Sequence, residues 1–296
     1  MIRNIYRSSS DFICIICQIR NVGNTSYLWY RFGMNFYDWF FLEKGRKPAG
    51  LFSWSHLLSV TIVLAAFIVL SVVLGKKFKN NPKAQKKVFL ITTIAIFVFV
   101  IMKMSFLLAT TNDVGNTLLE NMPLFFCDMM IFMVPIATFT RGRVQDICFD
   151  FIAICGFIMG FMGNYFAGNI FSEHPAFSYL SLISIFTHSI AAFAALFVFV
   201  SGLNKMEKRN IPFVIGILFV FMSITLAVDY ITGKNYMFFL GGDGTPFGLI
   251  FDLVQGNLII YQIIIYVMQC GYIGVFYLVY YGILKLINHK KEKAAE

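Results

Sequence analysis

Long uninterrupted apolar runs, separated by short polar loops, constrain this chain more than any other feature. Seven such runs are read along it: Ser53–Leu74, Val88–Leu108, Met122–Phe139, Phe149–Phe166, Leu180–Val200, Ile211–Asp229 and Leu258–Leu286. Several exceed the roughly 18 apolar residues that a bilayer-spanning helix requires. Lipid offers no partner to backbone N–H and C=O groups, so a spanning segment is either a helix or a strand of a closed barrel. Barrel strands are shorter and alternate in polarity, and these runs do neither. The expectation is an all-α polytopic membrane protein, a bundle of about seven transmembrane helices. Composition agrees: 13% of the 296 residues are charged, against about 25% in a soluble domain.

Basic residues give the threading. The stretch "KKFKNNPKAQKK" follows the first run, Arg141 and Arg143 follow the third, Lys205, Lys208 and Arg209 follow the fifth, and "KKEK" lies near the carboxyl end. The intervening loops carry Asp113 and Glu120, Glu173, and Asp229 with Asp243. Lysine and arginine mark the cytoplasmic side, so this alternation predicts a multi-pass protein of the cell membrane with a cytoplasmic carboxyl terminus. The net charge of +9 is gathered in these loops and forms no binding face, so nucleic acid is not an expected partner. The expected partners are membrane lipids, and no protein partner can be read.

Residues 1–50 fit the threading less well, because Arg3, Arg7, Arg20 and Arg31 fall on its outer side. The patch "FICIIC" is too short to span and has no small-residue cleavage site after it. Either the charged segment is retained outside, or it lies upstream of a natural start at Met34, the reading preferred here. From Met34 onward "MNFYDWFFLEKG" suits a helix lying at the membrane surface. The domain reading is therefore an amino-terminal extension (1–50), a seven-helix membrane domain (51–287) and a basic tail (288–296). Of the six cysteines, Cys14 and Cys17 are spaced C-x-x-C without further ligands, so neither a metal site nor a cofactor is expected.

Ionisable side chains are costly in lipid and mark function by default. On the threading above, His56, Lys103, Cys127, His188 and Asp229 fall near one level in the outer half, while the inner half holds almost none. Cys127 lies roughly 7 Å below the outer end of its run, at about 1.5 Å per residue. Such sorting points to a water-accessible cavity. Plainer roles are open to each: His56 as an anchor at a helix end, Lys103 snorkelling outward, Asp229 in a loop, Cys127 in packing. His188, within "IFTHSI", is the hardest to explain without function. A cysteine and a histidine brought together can form a thiolate nucleophile and its base. The glycine-rich loop with Asn235 and Tyr236 is either a re-entrant connection or a lid whose Asn235 meets a lipid head group.

"MPLFFCD", the histidine of "IFTHSI" and "KNYMFFLGGDGTPFGLI" together resemble the YwaF-type bacterial integral membrane proteins, and "FSWSHLL" is similar to that family's entrance histidine. Their eukaryotic relatives include a transmembrane acyltransferase that remodels ether phospholipids through a cysteine. The resemblance implies that Cys127 is the motif cysteine and His188 the span histidine. The family pattern usually has a histidine two positions before the cysteine; Phe125 stands there, which leaves thiol activation to His188 or His56, or impaired. The function expected first is a cysteine-dependent lipid acyltransferase at the outer leaflet: Cys127 and His188 catalytic; His56, Lys103, Asp229, Asn235 and Tyr236 at the substrate. A small-solute or ion transporter, or a non-catalytic membrane subunit, is the alternative.

Overall fold

The computed structural model describes residues 35–203, 206–242 and 245–293. The start at Met34, the patch with Cys14 and Cys17, Lys205 and Asp243 lie outside them. Among the described residues the regular elements are all helical. They are α1 (Phe36–Phe40), α2 (Trp54–Lys77), α3 (Pro82–Thr110), α4 (Val114–Glu120), a 3₁₀ turn (Phe126–Asp128) leading into α5 (Met129–Phe139), α6 (Arg143–Tyr165), α7 (Gly168–Phe171), α8 (Tyr179–Ser201), a second 3₁₀ turn (Lys208–Asn210) leading into α9 (Ile211–Thr232), α10 (Phe247–Leu253) and α11 (Leu258–Lys293). The helix boundaries carry the expected stop and start chemistry. Ser53, Asn81 and Ser178 cap α2, α3 and α8 through their side chains, Pro82 opens α3, and Gly202 and Gly233 close α8 and α9 in the left-handed conformation.

Six helices, α2, α3, α6, α8, α9 and α11, are long and apolar enough to cross a membrane. The third expected span is different. Its apolar helix runs only over Phe126–Phe139, about 21 Å at 1.5 Å per residue, against a hydrocarbon core of about 30 Å. Residues Met122–Phe125, read in the sequence as the start of that span, are not helical. Pro123 lacks an amide N–H, and the segment turns sharply at Phe125–Asp128 before the helix begins. This helix, half-length in its α-helical part (Met129–Phe139), opens at Phe126, with Cys127 next.

Packing is centred on α8, which touches α2, α3 and α6, while α5 bridges α3 and α6 and α9 pairs with α11. Small residues let α6 and α8 approach closely. A Cβ on Gly156 would stand 2.9 Å from the Ala191 carbonyl, and one on Gly160 only 2.4 Å from Ala192 Cβ. Helices in lipid gain little from burying apolar surface against one another, so this close backbone approach is how they associate. The outer helices turn Ile62, Val69, Ile91, Ile101, Phe219, Val267 and Leu278 outward, where lipid covers them. One end of the bundle gathers the lysines and arginines after α2, α5 and α8; it is called the basic end. The other is capped by residues 35–50, α4 and the loop segments 233–242 and 245–246, together the capping loop.

Candidate functional site

Cys127 sits in the 3₁₀ turn that opens the half-length helix. The turn is closed on itself, since the Phe125 N–H donates to Asp128 Oδ2 at 3.0 Å and the Asp128 N–H to the Phe125 carbonyl at 2.9 Å. The Phe125 ring meets Tyr236 edge-on, with centroids 5.6 Å apart. Thr225 of α9 reaches the Leu124 carbonyl at 3.4 Å. The segment before the cysteine is thus fixed by α9 and by the capping loop.

His188 lies on α8. Its Nδ1 lies 2.8 Å from the Ser184 carbonyl, one turn back. A carbonyl only accepts, so in the neutral ring Nδ1 carries the proton and Nε2 keeps its lone pair. Among the described residues Nε2 has no hydrogen-bond partner. The ring lies flat on Gly163 of α6: a Cβ there would fall 2.1 Å from Cδ2 and 2.5 Å from Nε2. Glycine at 163 is what makes room for the imidazole. It continues the run of close approaches begun at Gly156 and Gly160.

Lys103 of α3 joins these groups. Its charge acts on Cys127, on Asp128 and on His188, three side chains from two other parts of the chain. All four are partly accessible. Two aromatic pairs mark the α3–α8 seam on either side of Lys103: Phe106 with Tyr179 toward the capped end, and Phe99 stacked on Phe186 toward the basic end, with centroids 4.7 and 5.5 Å apart. The Tyr179 hydroxyl also donates to the Met102 carbonyl at 3.0 Å. Among the described residues Cys127 and His188 share no direct hydrogen bond.

The remaining sequence-derived positions have partners of their own. Asp229 is fully buried: Oδ1 accepts the Tyr236 N–H at 3.1 Å, while Oδ2 has no partner among the described residues. The Tyr236 hydroxyl donates to the Leu119 carbonyl, tying the capping loop to α4. Burial raises the Tyr236 phenol above its ordinary range, so it stays a donor. Asn235 braces its own loop, donating to the Gly241 carbonyl at 3.0 Å and accepting the Leu240 N–H at 2.9 Å. His56 is fully buried on the far side of α6. The Phe52 N–H donates to its Nδ1, and its Nε2 faces the Asn164 carbonyl, each at 3.0 Å. Asn164 in turn donates to Ser189, the neighbour of His188, at 3.2 Å. Both His56 nitrogens are thus committed to the protein.

The half toward the basic end, expected to hold almost no ionisable groups, contains a buried carboxylate. Asp150 of α6 is fully buried there, and its Oδ2 accepts from Tyr277 at 2.9 Å, Asn210 at 3.0 Å and the Glu207 N–H at 3.4 Å. The signal was an aspartate inside the apolar stretch "ICFDFIAIC", within the span expected over Phe149–Phe166, and it was not singled out. Among the described residues no group of three or more His, Cys, Asp or Glu is placed to hold a metal ion.

The family model for the TMEM164 family matches residues 51–280. The chain belongs to the TMEM164 family. The TMEM164 match takes in Cys127, His188, Lys103, Gly163 and the whole capping loop, and leaves out α1 and the segment leading from it. No curated protein and no solved structure matches the chain.

Proposed function

We propose that this membrane protein transfers a fatty acyl chain between lipids through Cys127. The thiol attacks a lipid ester carbonyl; the acyl–oxygen bond breaks, the alcohol leaves, and a thioester forms on Sγ. His188 Nε2 takes the thiol proton, directly or through one water, and returns it to the departing alkoxide. A second lipid hydroxyl then attacks the thioester, frees the thiol and carries the acyl chain away. The observation carrying this reading is that Cys127 and His188, on separate elements, are both partly accessible and both feel the charge of Lys103. Apo hydrogen bonds between catalytic groups are often loose, so the lack of a direct contact is compatible with it. Asn235 and Tyr236 brace the loop beside α4, and the acyl-transfer chemistry is what the resemblance implies through the eukaryotic relatives of the YwaF-type proteins. The lysine distribution supports a cytoplasmic carboxyl terminus and a site on the outer-leaflet side of the membrane.

The test is acyl exchange between two isotope-labelled lipids in liposomes holding the full chain. Exchange should fall to background in Cys127→Ala and by about 10²-fold or more in His188→Gln; unchanged exchange in Cys127→Ala defeats the proposal. Asp150 gives a solute route the inner polar group it would need, so uptake into the same liposomes is the companion measurement. Saturable uptake lost in Asp150→Asn, without acyl exchange, favours that second reading.

A further inference from the structure

We propose that residues 36–50 form a strap over the capped end of the α3–α8 seam, fastened by the Glu43–His174 pair and loosened as the medium there turns from acid to alkaline. The strap precedes the residues that the family model matches, and its fastening does not depend on what chemistry Cys127 performs. Two sets of contacts lay it down. At its α1 end Phe41 packs on Tyr179 and Phe106, with centroids 4.9 and 6.0 Å apart, and Phe40 meets Tyr179 edge-on at 6.1 Å. Phe106 and Tyr179 are the pair that marks the seam toward the capped end, so α1 covers it there. At the other end the Ala49 N–H donates to the His174 carbonyl at 3.0 Å and the Gly50 N–H to the Phe171 carbonyl at 2.8 Å.

Side chains fasten the middle. The Arg46 guanidinium lies over the Trp39 ring, 4.1 Å from its centroid, and donates to the Ala176 carbonyl. His174 Nδ1 stands 3.1 Å from each Glu43 carboxylate oxygen, and both side chains are about four-fifths buried. Glu43 is held at a φ of 57°, in the left-handed region that a non-glycine residue keeps only where its surroundings impose it. Histidine is the side chain that ordinarily changes charge between about pH 5 and 8. Beyond Glu43, the charged or titratable groups on the elements packed there are Asp38, Lys44, Arg46 and Lys47 of the strap, Glu173 beside the imidazole in the chain, Tyr179 of α8 and His56 of α2. Lys44 is taken up by Asp38 at 3.0 Å. The His56 ring lies 4.0 Å from that of Phe171, but it is satisfied as a neutral ring because its Nδ1 accepts the Phe52 N–H. In acid, the imidazolium and the Glu43 carboxylate attract as two full charges; the neutral ring removes one charge and with it that attraction. The strap is therefore held fast in acid and more loosely in alkali.

Hydrogen–deuterium exchange of the full chain in nanodiscs reads the opening of the strap. It is measured at about pH 5.5 and about pH 8, on either side of the ordinary histidine transition, and expressed as protection factors so that the intrinsic effect of pH is removed. Protection of the peptides covering residues 36–50 should fall by about fivefold from the acid to the alkaline condition, the size expected for a good, partly exposed ion pair. Protection of α6 should stay constant. Glu43→Gln and His174→Gln keep a hydrogen-bonding side chain without the charge, so each should show the alkaline value at both conditions. Oxidative footprinting of Tyr179 should rise in step with opening. Equal protection of the strap at both conditions in wild type overturns the proposal, as does a pH response that survives His174→Gln, which would assign it to His56. Opening that leaves the Tyr179 footprint unchanged removes the strap's role as a cover of the seam.

Discussion

Gly163→Ala offers the sharpest perturbation, because its effect is set by one contact. The new methyl would lie 2.1, 2.5 and 2.7 Å from Cδ2, Nε2 and Cγ of His188. Ordinary carbon contacts need about 3.5 Å or more, so the ring must move by more than about 1 Å or the helices must part. Moving the ring breaks the 2.8 Å Nδ1–Ser184 bond. Overpacking of this kind costs about 1–3 kcal/mol, and a misplacement of about 1 Å in a catalytic group costs about 10²-fold in rate. A double-mutant cycle separates sterics from general damage. Thermal unfolding in detergent should show the cost of Gly163→Ala in wild type and should show most of it gone in the His188→Ala background, since the clashing atoms are absent there. Gly216→Ala, where nothing lies within 4 Å of the added methyl, should be neutral or stabilising by up to about 1 kcal/mol. Additive costs in the two backgrounds would refute the claim that Gly163 exists to seat His188.

Removing the carboxylate in Asp150→Ala leaves the Tyr277 and Asn210 donors buried without an acceptor. Unfolding should show a loss of at least about 2 kcal/mol, with Asp150→Asn costing less. Tyr236→Phe should cost about 1 kcal/mol through the bond to the Leu119 carbonyl, and should speed proteolysis of the capping loop. At the capped surface, hydrogen bonds from Lys234 and then Asn116 hold the Glu120 carboxyl below its usual range. A carboxylate depressed in the folded state stabilises above its unfolded value and loses that contribution as pH falls through the folded one. The difference in melting temperature between wild type and Lys234→Gln should therefore be small, because Glu120 is half exposed. It should be present above about pH 4.5 and vanish as the medium is acidified further.

The membrane fold was legible because bilayer thickness imposes one length on every apolar run. Where that rule does not operate, the sequence misled. Met122–Phe125 is apolar enough to extend the third span, but hydropathy does not register the missing N–H of Pro123 or the turn that Asp128 closes on Phe125. His188, Lys103 and Cys127 could be singled out because polarity at membrane depth is rare. Their surroundings could not, since these depend on how α3, α5 and α8 are rotated. Gly163 was invisible because a glycine in an apolar run has many uses, and only the imbalance of space against the His188 ring gives it one. His56 looked like its companions in sequence; the Phe52 turn, at a φ of 58°, and the Asn164 carbonyl bind both of its nitrogens.

The most direct measurement of the account's claim is the chemical state of Cys127 itself. The full chain, incubated with a phospholipid bearing an isotope-labelled acyl chain and quenched in acid, should yield a Cys127 peptide heavier by that acyl group. The adduct should be released by hydroxylamine and be absent in His188→Gln. A chain that exchanges acyl groups while Cys127 stays unmodified, or that carries the label on Cys148, Cys155 or Cys270 instead, contradicts it.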